Sequence, residues 1–392
     1  MKKLLRLCGV LIFATLFTVG VQGAAAMSKQ VAAKIDKLIE EAEALEKAGD
    51  WSGAESKMTA AVALAPEEPS SYYNRALFRA RLNKVESAKE DLDAYLRLKP
   101  RDNDGLAFRG QLRLMLNDID GAIADTNEVL RTYQDNYRAR LVRAQAWFAR
   151  RNYQNALDDY EKLRRAHPEE PLVIVGQAEC ELNLGNNVAA KIGFQKLVEK
   201  FPDNGAMRYK LGLAHFHLQE FDEAIASVRR AAELKMDPAE TSKLIGYCHY
   251  ARHEDEKAIA SLRQAIATRP TISPYVYLVL HHAIRRAERS VSESPLRDAM
   301  EQWEAGWEKS LARYLLGGFS DRDLVKEAKA TKDAKRRDEQ LCEAYYYIGA
   351  TRLLEMDTVA GEVFFERVLG TRASTFFEYT FARAELRRGL VK

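Results

Sequence analysis

Small residues, a bulky apolar residue and a proline recur along this chain in a frame of thirty-four residues. Ala54, Ala88, Ala122, Ala156, Ala190, Ala224 and Ala258 stand at equal intervals with no slippage. Placed at position 20, they define seven repeats beginning at residues 35, 69, 103, 137, 171, 205 and 239. Position 8 is then always small: Ala42, Ala76, Gly110, Ala144, Ala178, Gly212 and Gly246. Position 24 is large in Met58, Leu92, Tyr160, Phe194, Val228 and Leu262, with Thr126 the exception. Position 32 is proline at Pro66, Pro100, Pro168, Pro202 and Pro270, a rule that Gln134 and Met236 break. A fixed period of this length marks a stacked array of helical units, none of which buries its apolar face alone.

The frame predicts two antiparallel helices per repeat. Small residues at positions 8 and 20 let the helices approach where they cross, and the bulky residue at 24 fills the space beside the crossing. Proline at 32 lacks an N–H and clashes with the preceding turn, so it ends the second helix. Polar and aromatic residues near positions 16 and 17 make the turn between the helices, as in Gly49-Asp50-Trp51, Asn152-Tyr153 and Glu220-Phe221.

These residues resemble the signature of the tetratricopeptide repeat family: small at 8, alanine at 20, large at 24, proline at 32. The resemblance spans residues 35–272. It implies an all-α fold, a right-handed superhelical solenoid of antiparallel helix pairs whose concave face is lined by the first helix of each pair.

After Pro270 the phase is lost. Residues 273–289 read as a helix. Ser294-Pro295 opens another, which carries Leu296, Met300, Trp303, Trp307, Leu311 and Leu315 as one apolar stripe and ends at Gly317-Gly318. A short helix runs from Ser320 to about Ala330, and 331–339 reads as a charged connector. A degenerate final repeat places Gly349 at position 8 and Phe364-Phe365 at position 24. A closing helix carries Phe376, Phe377, Tyr379, Phe381 and Leu386. The division expected is a signal peptide over 1–26, a seven-repeat array over 27–272, and an irregular helical cap over 273–392, because repeat arrays need atypical ends.

Within that cap, Trp303, Leu315-Leu316-Gly317, Cys342 to Gly349, Phe364-Phe365 and Phe377-Glu378-Tyr379 resemble the C-terminal region of NlpI-type bacterial repeat proteins. The resemblance implies a cell-envelope adaptor, often a homodimer. The lipid-anchor cysteine usual at the end of the signal in those relatives is lacking here.

The N-terminus bears on location. Lys2, Lys3 and Arg6 precede an apolar run from Leu7 to Val21, and Ala24-Ala25-Ala26 follows as a cleavage signal. That run is short for a membrane span, which takes about 20 residues. An exported protein of a bacterial periplasm or cell envelope is expected, with membrane attachment only if the signal stays uncleaved. The chain has 60 basic and 57 acidic residues; losing 1–26 removes three basic residues and leaves 57 of each. A balanced chain has no net attraction for nucleic acid. Cys180 and Cys248 both sit at position 10, two repeats apart. That is too far for a disulfide, which needs Cα atoms within about 7 Å, so both read as buried apolar residues.

No catalytic constellation stands out. Phosphate-binding loop, G-x-S-x-G, H-E-x-x-H and Cys-x-x-Cys motifs are absent from the sequence. His215 with His217 and His281-His282 do not suit two ligands on one helical face, and His249 and His253 are four apart but His253 sits at the inter-helix turn. The expectation is therefore no metal, no cofactor and no enzyme.

The concave face is the candidate site. Positions 2, 5, 6, 9, 12 and 13 of the first helices bring Tyr73, Asn74, Phe108, Gln111, Arg138, Gln145, Phe148, Tyr209, Lys210, Phe216, Lys243, Tyr247 and Tyr250 to one surface. Aromatics supply contact area, and amide and basic groups fix register. The pattern of lysines and asparagines that clamps the carboxylate tail of cytosolic heat-shock proteins is not matched, since only Asn74 fits. The reading is an adaptor or scaffold that binds a protein or peptide segment along this groove. Its rivals are a holdase chaperone for exported chains and an enzyme with a site in 273–340.

Overall fold

A computed structural model describes residues 29–288 and 294–389. The expected signal peptide lies outside them. The described residues are helical, with no strand among them. None of their helices is long and apolar enough to cross a membrane. The chain divides into two compact units, 1–180 and 181–392.

In the first unit the helices are α1 (Lys29–Lys47), α2 (Trp51–Leu64), α3 (Pro69–Arg81), α4 (Val85–Leu98), α5 (Asn103–Met115), α6 (Ile119–Thr132), α7 (Tyr137–Ala149) and α8 (Tyr153–Ala166), with α9 (Pro171–Leu184) running past its end. They pair as α1/α2, α3/α4, α5/α6 and α7/α8, and each pair packs on the next. The second unit holds α10 (Asn187–Lys200), α11 (Gly205–His217), α12 (Phe221–Glu233), α13 (Pro238–Ala251), α14 (Asp255–Thr268) and α15 (Pro274–Arg286). They are followed by α16 (Leu296–Glu301), α17 (Trp307–Leu315), α18 (Asp321–Ala330), α19 (Ala334–Leu354), α20 (Thr358–Leu369) and α21 (Phe377–Gly389).

The crossings are as tight as the frame requires. A methyl group added to Gly212 would lie 2.6 Å from Val228, and one on Gly246 would lie 2.7 Å from Leu262. Each is a position 8 facing its own position 24. The final pair, α19/α20, repeats the geometry, with Gly349 against Phe365 and the Gly361 carbonyl. Thr126, the odd position 24, is buried and spends its hydroxyl on the Ala122 carbonyl of its own helix, 2.7 Å away.

Position 15 adds a feature the frame did not single out. Gly49, Asn83, Asn117, Arg151, Gly185, Gln219 and His253 all have positive φ, and Met356 occupies the same place in the final pair. Each ends a first helix in the left-handed conformation. The next N–H then returns to a carbonyl five residues back, as from Lys84 to Arg79 at 2.8 Å and from Asn152 to Trp147 at 2.9 Å. This turn reverses the chain between the helices of a pair. Asp50, Asp118 and Asn152 then cap the second helix through their side chains.

A second recurrence stabilises the first unit. Position 7 is arginine and position 23 is aspartate in three consecutive repeats. Arg75 grips Asp91, Arg109 grips Asp125 and Arg143 grips Asp159, each through two guanidinium nitrogens. The three aspartates are buried. Arg79 also reaches Asp91, and Arg113 reaches Asp125. Arg109 spans to Asp93 of the preceding pair, so the ladder ties repeats together as well as the helices within them.

The C-terminal region departs from expectation at two places. The stripe from Leu296 to Leu315 is two helices, because the chain opens at Gly306, whose backbone is fully extended. Trp303 and Trp307 therefore serve different neighbours: Trp303 meets Tyr277 edge-on at 6.0 Å, and the Trp307 indole N–H donates to Glu343. The charged segment 331–339 is largely helical, because Asp333 caps the Arg336 N–H at 2.7 Å and starts α19 at Ala334. Ser320 and Asp323 form a reciprocal cap at the start of α18, where a helix was expected. Cys180, Cys248 and Cys342 are free and buried.

Two substitutions test these devices. Arg151 is exposed and sits at φ 62°, a conformation that disfavours a side chain. Arg151→Gly is expected to raise stability by about 0.5–1 kcal/mol in urea unfolding. Asp125→Ala removes the buried carboxylate shared by Arg109 and Arg113, leaving them only Asp93 and Asp118, and is expected to lower stability by about 3 kcal/mol, read as a fall in the urea midpoint at unchanged slope.

Candidate first-helix faces

In the first unit the inner face is built on α3, α5 and α7. Tyr73, Asn74 and Phe108 are buried there. Tyr73 packs on Tyr95 at 5.2 Å and on Phe108 at 5.8 Å. Burial pushes its phenol up to about 12, with the nearby Arg138 opposing the shift. Asn74 is fully enclosed, and neither its amide nitrogen nor its oxygen has a hydrogen-bond partner. Arg138 sits over Phe108, 4.8 Å from the ring centre, and donates to the Gln111 side-chain oxygen at 2.9 Å. Burial pulls this guanidinium below its ordinary range, and Tyr73 and Asp104 partly offset that pull. Gln111, Arg138, Gln145 and Phe148 keep partial exposure. Phe148 leans on Tyr153 at 5.3 Å. Thus Tyr73, Phe108, Gln111 and Arg138 form one assembly, with Gln145 and Phe148 further along α7. Among the described residues 29–180, α3, α5 and α7 pack on their neighbours in the stack.

In the second unit the equivalent face is covered. Helix α21 packs on α11, α13 and α19. Phe377 meets Phe216 at 5.3 Å and Tyr247 at 4.8 Å. Phe381, one helical turn later, meets Phe216, Tyr247, Tyr250 and Tyr346 at 5.8, 5.6, 5.0 and 5.6 Å. Phe216, Tyr247 and Tyr250 are therefore core residues in this conformation. Tyr250 is held further by its hydroxyl, 2.7 Å from that of Tyr346 and 2.8 Å from His282 Nδ1, and by Arg286 over its ring at 4.3 Å. Tyr209 and Lys243 turn to Glu240: the Tyr209 hydroxyl donates at 3.4 Å and Lys243 makes an ion pair. Lys210 is half-buried.

Polar contacts fix the register of α21. Thr380 Oγ1 lies 2.9 Å from His217 Nδ1, and its carbonyl accepts from Gln219. Glu385 takes His253 at 2.6 Å and Arg286 at 3.5 Å, and Arg388 donates to the Ala251 carbonyl. Burial raises Glu385, but the hydrogen bond and charge of His253, with Arg286 and Arg388, hold it below the usual carboxylate range. Sequence reasoning placed aromatics on both sides of this contact without joining them. The i, i+4 spacing of Phe377 and Phe381 is the signal that could have done so.

Family models for the tetratricopeptide repeat match residues 43–113, 109–171 and 175–241. A comparison with curated proteins gives no match. Among solved structures, a tetratricopeptide repeat protein from Parabacteroides merdae is 20% identical, with TM-score 0.47, over 64% of this chain and 99% of its own. The C-terminal part of a repeat protein from Cytophaga hutchinsonii is 18% identical, with TM-score 0.48, over 62% of this chain and 99% of its own. YrrB, described as a repeat protein with an unusual peptide-binding site, is 19% identical, with TM-score 0.43, over 50% of this chain and 98% of its own.

The His217 contact gives α21 a pH dependence. Burial lowers this imidazole to about 4, and Arg383 adds to the effect. Between about 6.5 and about 4 the unfolded chain binds a proton that the folded chain refuses, so this group's contribution is lost as pH falls through that window. His217→Gln is expected to flatten the pH dependence of Tm there, by an amount approaching about 3 kcal/mol of stability.

Proposed function

We propose, from the premise that this chain carries tetratricopeptide repeats and that such repeats generally mediate protein–protein interaction, that it is an exported adaptor. It binds a segment of a partner protein on the first-helix face of residues 29–180. Tetratricopeptide stacks are typically non-enzymatic scaffolds, and binding here is an equilibrium event with no chemical step.

The observation that carries this reading is the assembly of Arg138, Gln111, Phe108 and Tyr73. A guanidinium fixed over an aromatic ring and against an amide is preorganised, so little side-chain freedom is lost when a partner arrives. Arg138 gives Nε and Nη2 to Gln111 and also reaches Tyr73, and its remaining N–H donors suit a carboxylate or backbone carbonyls on the partner. Phe148 and Gln145 extend the surface. In residues 181–389 the same face takes an amphipathic helix through phenylalanines one turn apart, and an amphipathic helix is therefore the segment proposed for the open face.

Export rests on the basic start, the apolar run from Leu7 to Val21 and the alanines at 24–26. The resemblance of residues 303–379 to NlpI-type proteins supports a place in the periplasm or cell envelope and suggests a homodimer.

The test uses the full chain with a C-terminal tag, expressed in a bacterial envelope. Intact mass is expected to show a mature protein beginning at Met27. One or two proteins are expected to co-purify with it and to be lost from the double variant Arg138→Gln, Phe148→Ala, whose helicity and Tm stay close to wild type. A partner retained by that variant removes this face as the site, and a broad set of unfolded clients replaces the adaptor with a holdase.

A further inference from the structure

Two carboxylates are buried in the second unit without a cation. Glu343 on α19 and Glu378 at the start of α21 are each 3% exposed. Trp307 donates its indole N–H to Glu343, and the Tyr347 hydroxyl donates to Glu378 at 3.3 Å. No Lys, Arg or His among the described residues makes an ion pair with either. The one basic side chain nearby, Lys243, is committed to Glu240. An enclosed charge without a counter-charge is costly, and such a group calls for an explanation.

The two carboxylates share a cavity of about 240 Å³. Its walls include Tyr247, Tyr275, Phe376 and Phe377, and Lys243 stands at one side. Ser273 is exposed and Tyr275, Thr375 and Phe376 are half-buried, so the cavity reaches solvent. Aromatic faces carry negative charge density and attract organic cations, most strongly where water is excluded. No group of three or more ligating side chains among the described residues is placed to hold a metal ion. Two carboxylates set among aromatic rings match an organic cation instead.

We propose that this cavity binds a single alkylammonium group, of the kind carried by a lysine side chain. The reading is independent of the partner face in residues 29–180. The ammonium sits among the rings and is neutralised by the carboxylate pair, and its methylene stem lies along Tyr247 and Phe377.

Protonation couples to binding at this pair. Burial raises Glu343 well above the ordinary range, and Glu378 adds to that rise. Burial likewise raises Glu378. Glu308 adds negative charge beside Glu343, and Tyr247, Tyr275, Tyr347 and Cys342 complete the titratable surroundings together with Lys243. A bound cation favours the ionised pair, so binding releases a proton. Affinity therefore rises with pH.

The test is calorimetric titration of the folded chain, residues 27–392, with n-butylammonium chloride and with Nα-acetyl-lysine methylamide. The Nε-acetylated form of the latter is the neutral control. Expected are one site, binding at least tenfold tighter than the control, weaker binding at pH 6 than at pH 8, and proton release seen as a dependence of the measured heat on buffer ionisation. Glu378→Gln and Glu343→Gln are each expected to weaken binding tenfold or more. Tighter binding of the lysine derivative identifies a protein side chain as the natural occupant, and equal binding identifies a free amine. Affinity equal to that of the neutral control, or wild-type binding without proton release, overturns the proposal, and neither result depends on whether the variants fold.

Discussion

Every helix pair depends on one close crossing, where a small residue at position 8 lies against positions 20 and 24 of the same repeat. At Gly212 and Gly246 even a methyl group would collide with Val228 or Leu262, so the helices stand as near as their backbones allow. Such proximity leaves little freedom in how the chain turns. A residue in the left-handed region at position 15 reverses it within a few residues and satisfies the carbonyls at the end of the first helix. Crossing and turn therefore act as one constraint. It persists into the degenerate final pair, where Gly349, Met356, Gly361 and Phe365 reproduce it after the rest of the signature has gone.

The constraint fixes which face each first helix presents but not what becomes of that face. In residues 181–389 the chain supplies its own ligand: α21 lays Phe377 and Phe381 among Phe216, Tyr247 and Tyr250, and Thr380 and Glu385 set its register. In residues 29–180 the corresponding aromatics are sealed by Arg138 and Gln111, leaving a surface that is polar and rigid. The arginine–aspartate ladder of that unit lies between the helices of three of its four pairs. It stiffens the stack on which this surface stands.

Much of this was legible in the sequence because it is periodic. Ala54 to Ala258, the small residues at position 8 and the prolines at 32 each repeat a local steric demand, and repetition raises a weak signal above composition. The ladder was equally periodic, with Arg75, Arg109 and Arg143 each sixteen residues before an aspartate, but charged residues are read as solvated faces unless their burial is known. The break at Gly306 and the helical start at Ala334 lay outside the repeat, where only single-residue capping preferences speak. The covering of Tyr247 by Phe377 was hardest to read, because it joins residues 130 positions apart with no shared period.

Glu343 and Glu378 show how a non-repeating contact can create something the repeats alone do not hold. Each sits in a helix whose other residues pack conventionally, and neither belongs to a recognisable motif. They become a pair only because α21 returns to α19 and brings its first turn beside Tyr275 and Glu343. The same docking that closes the first-helix face to partners thereby encloses two carboxylates among aromatic rings, where water cannot solvate them well. A helix that served only as a cap would satisfy its apolar side with leucine or phenylalanine throughout. Burying Glu378 at the centre of the contact lowers stability at neutral pH, where the ionised form is favoured in water but opposed by burial. Such an expense is consistent with a site whose electrostatics are balanced by an occupant and unbalanced without one.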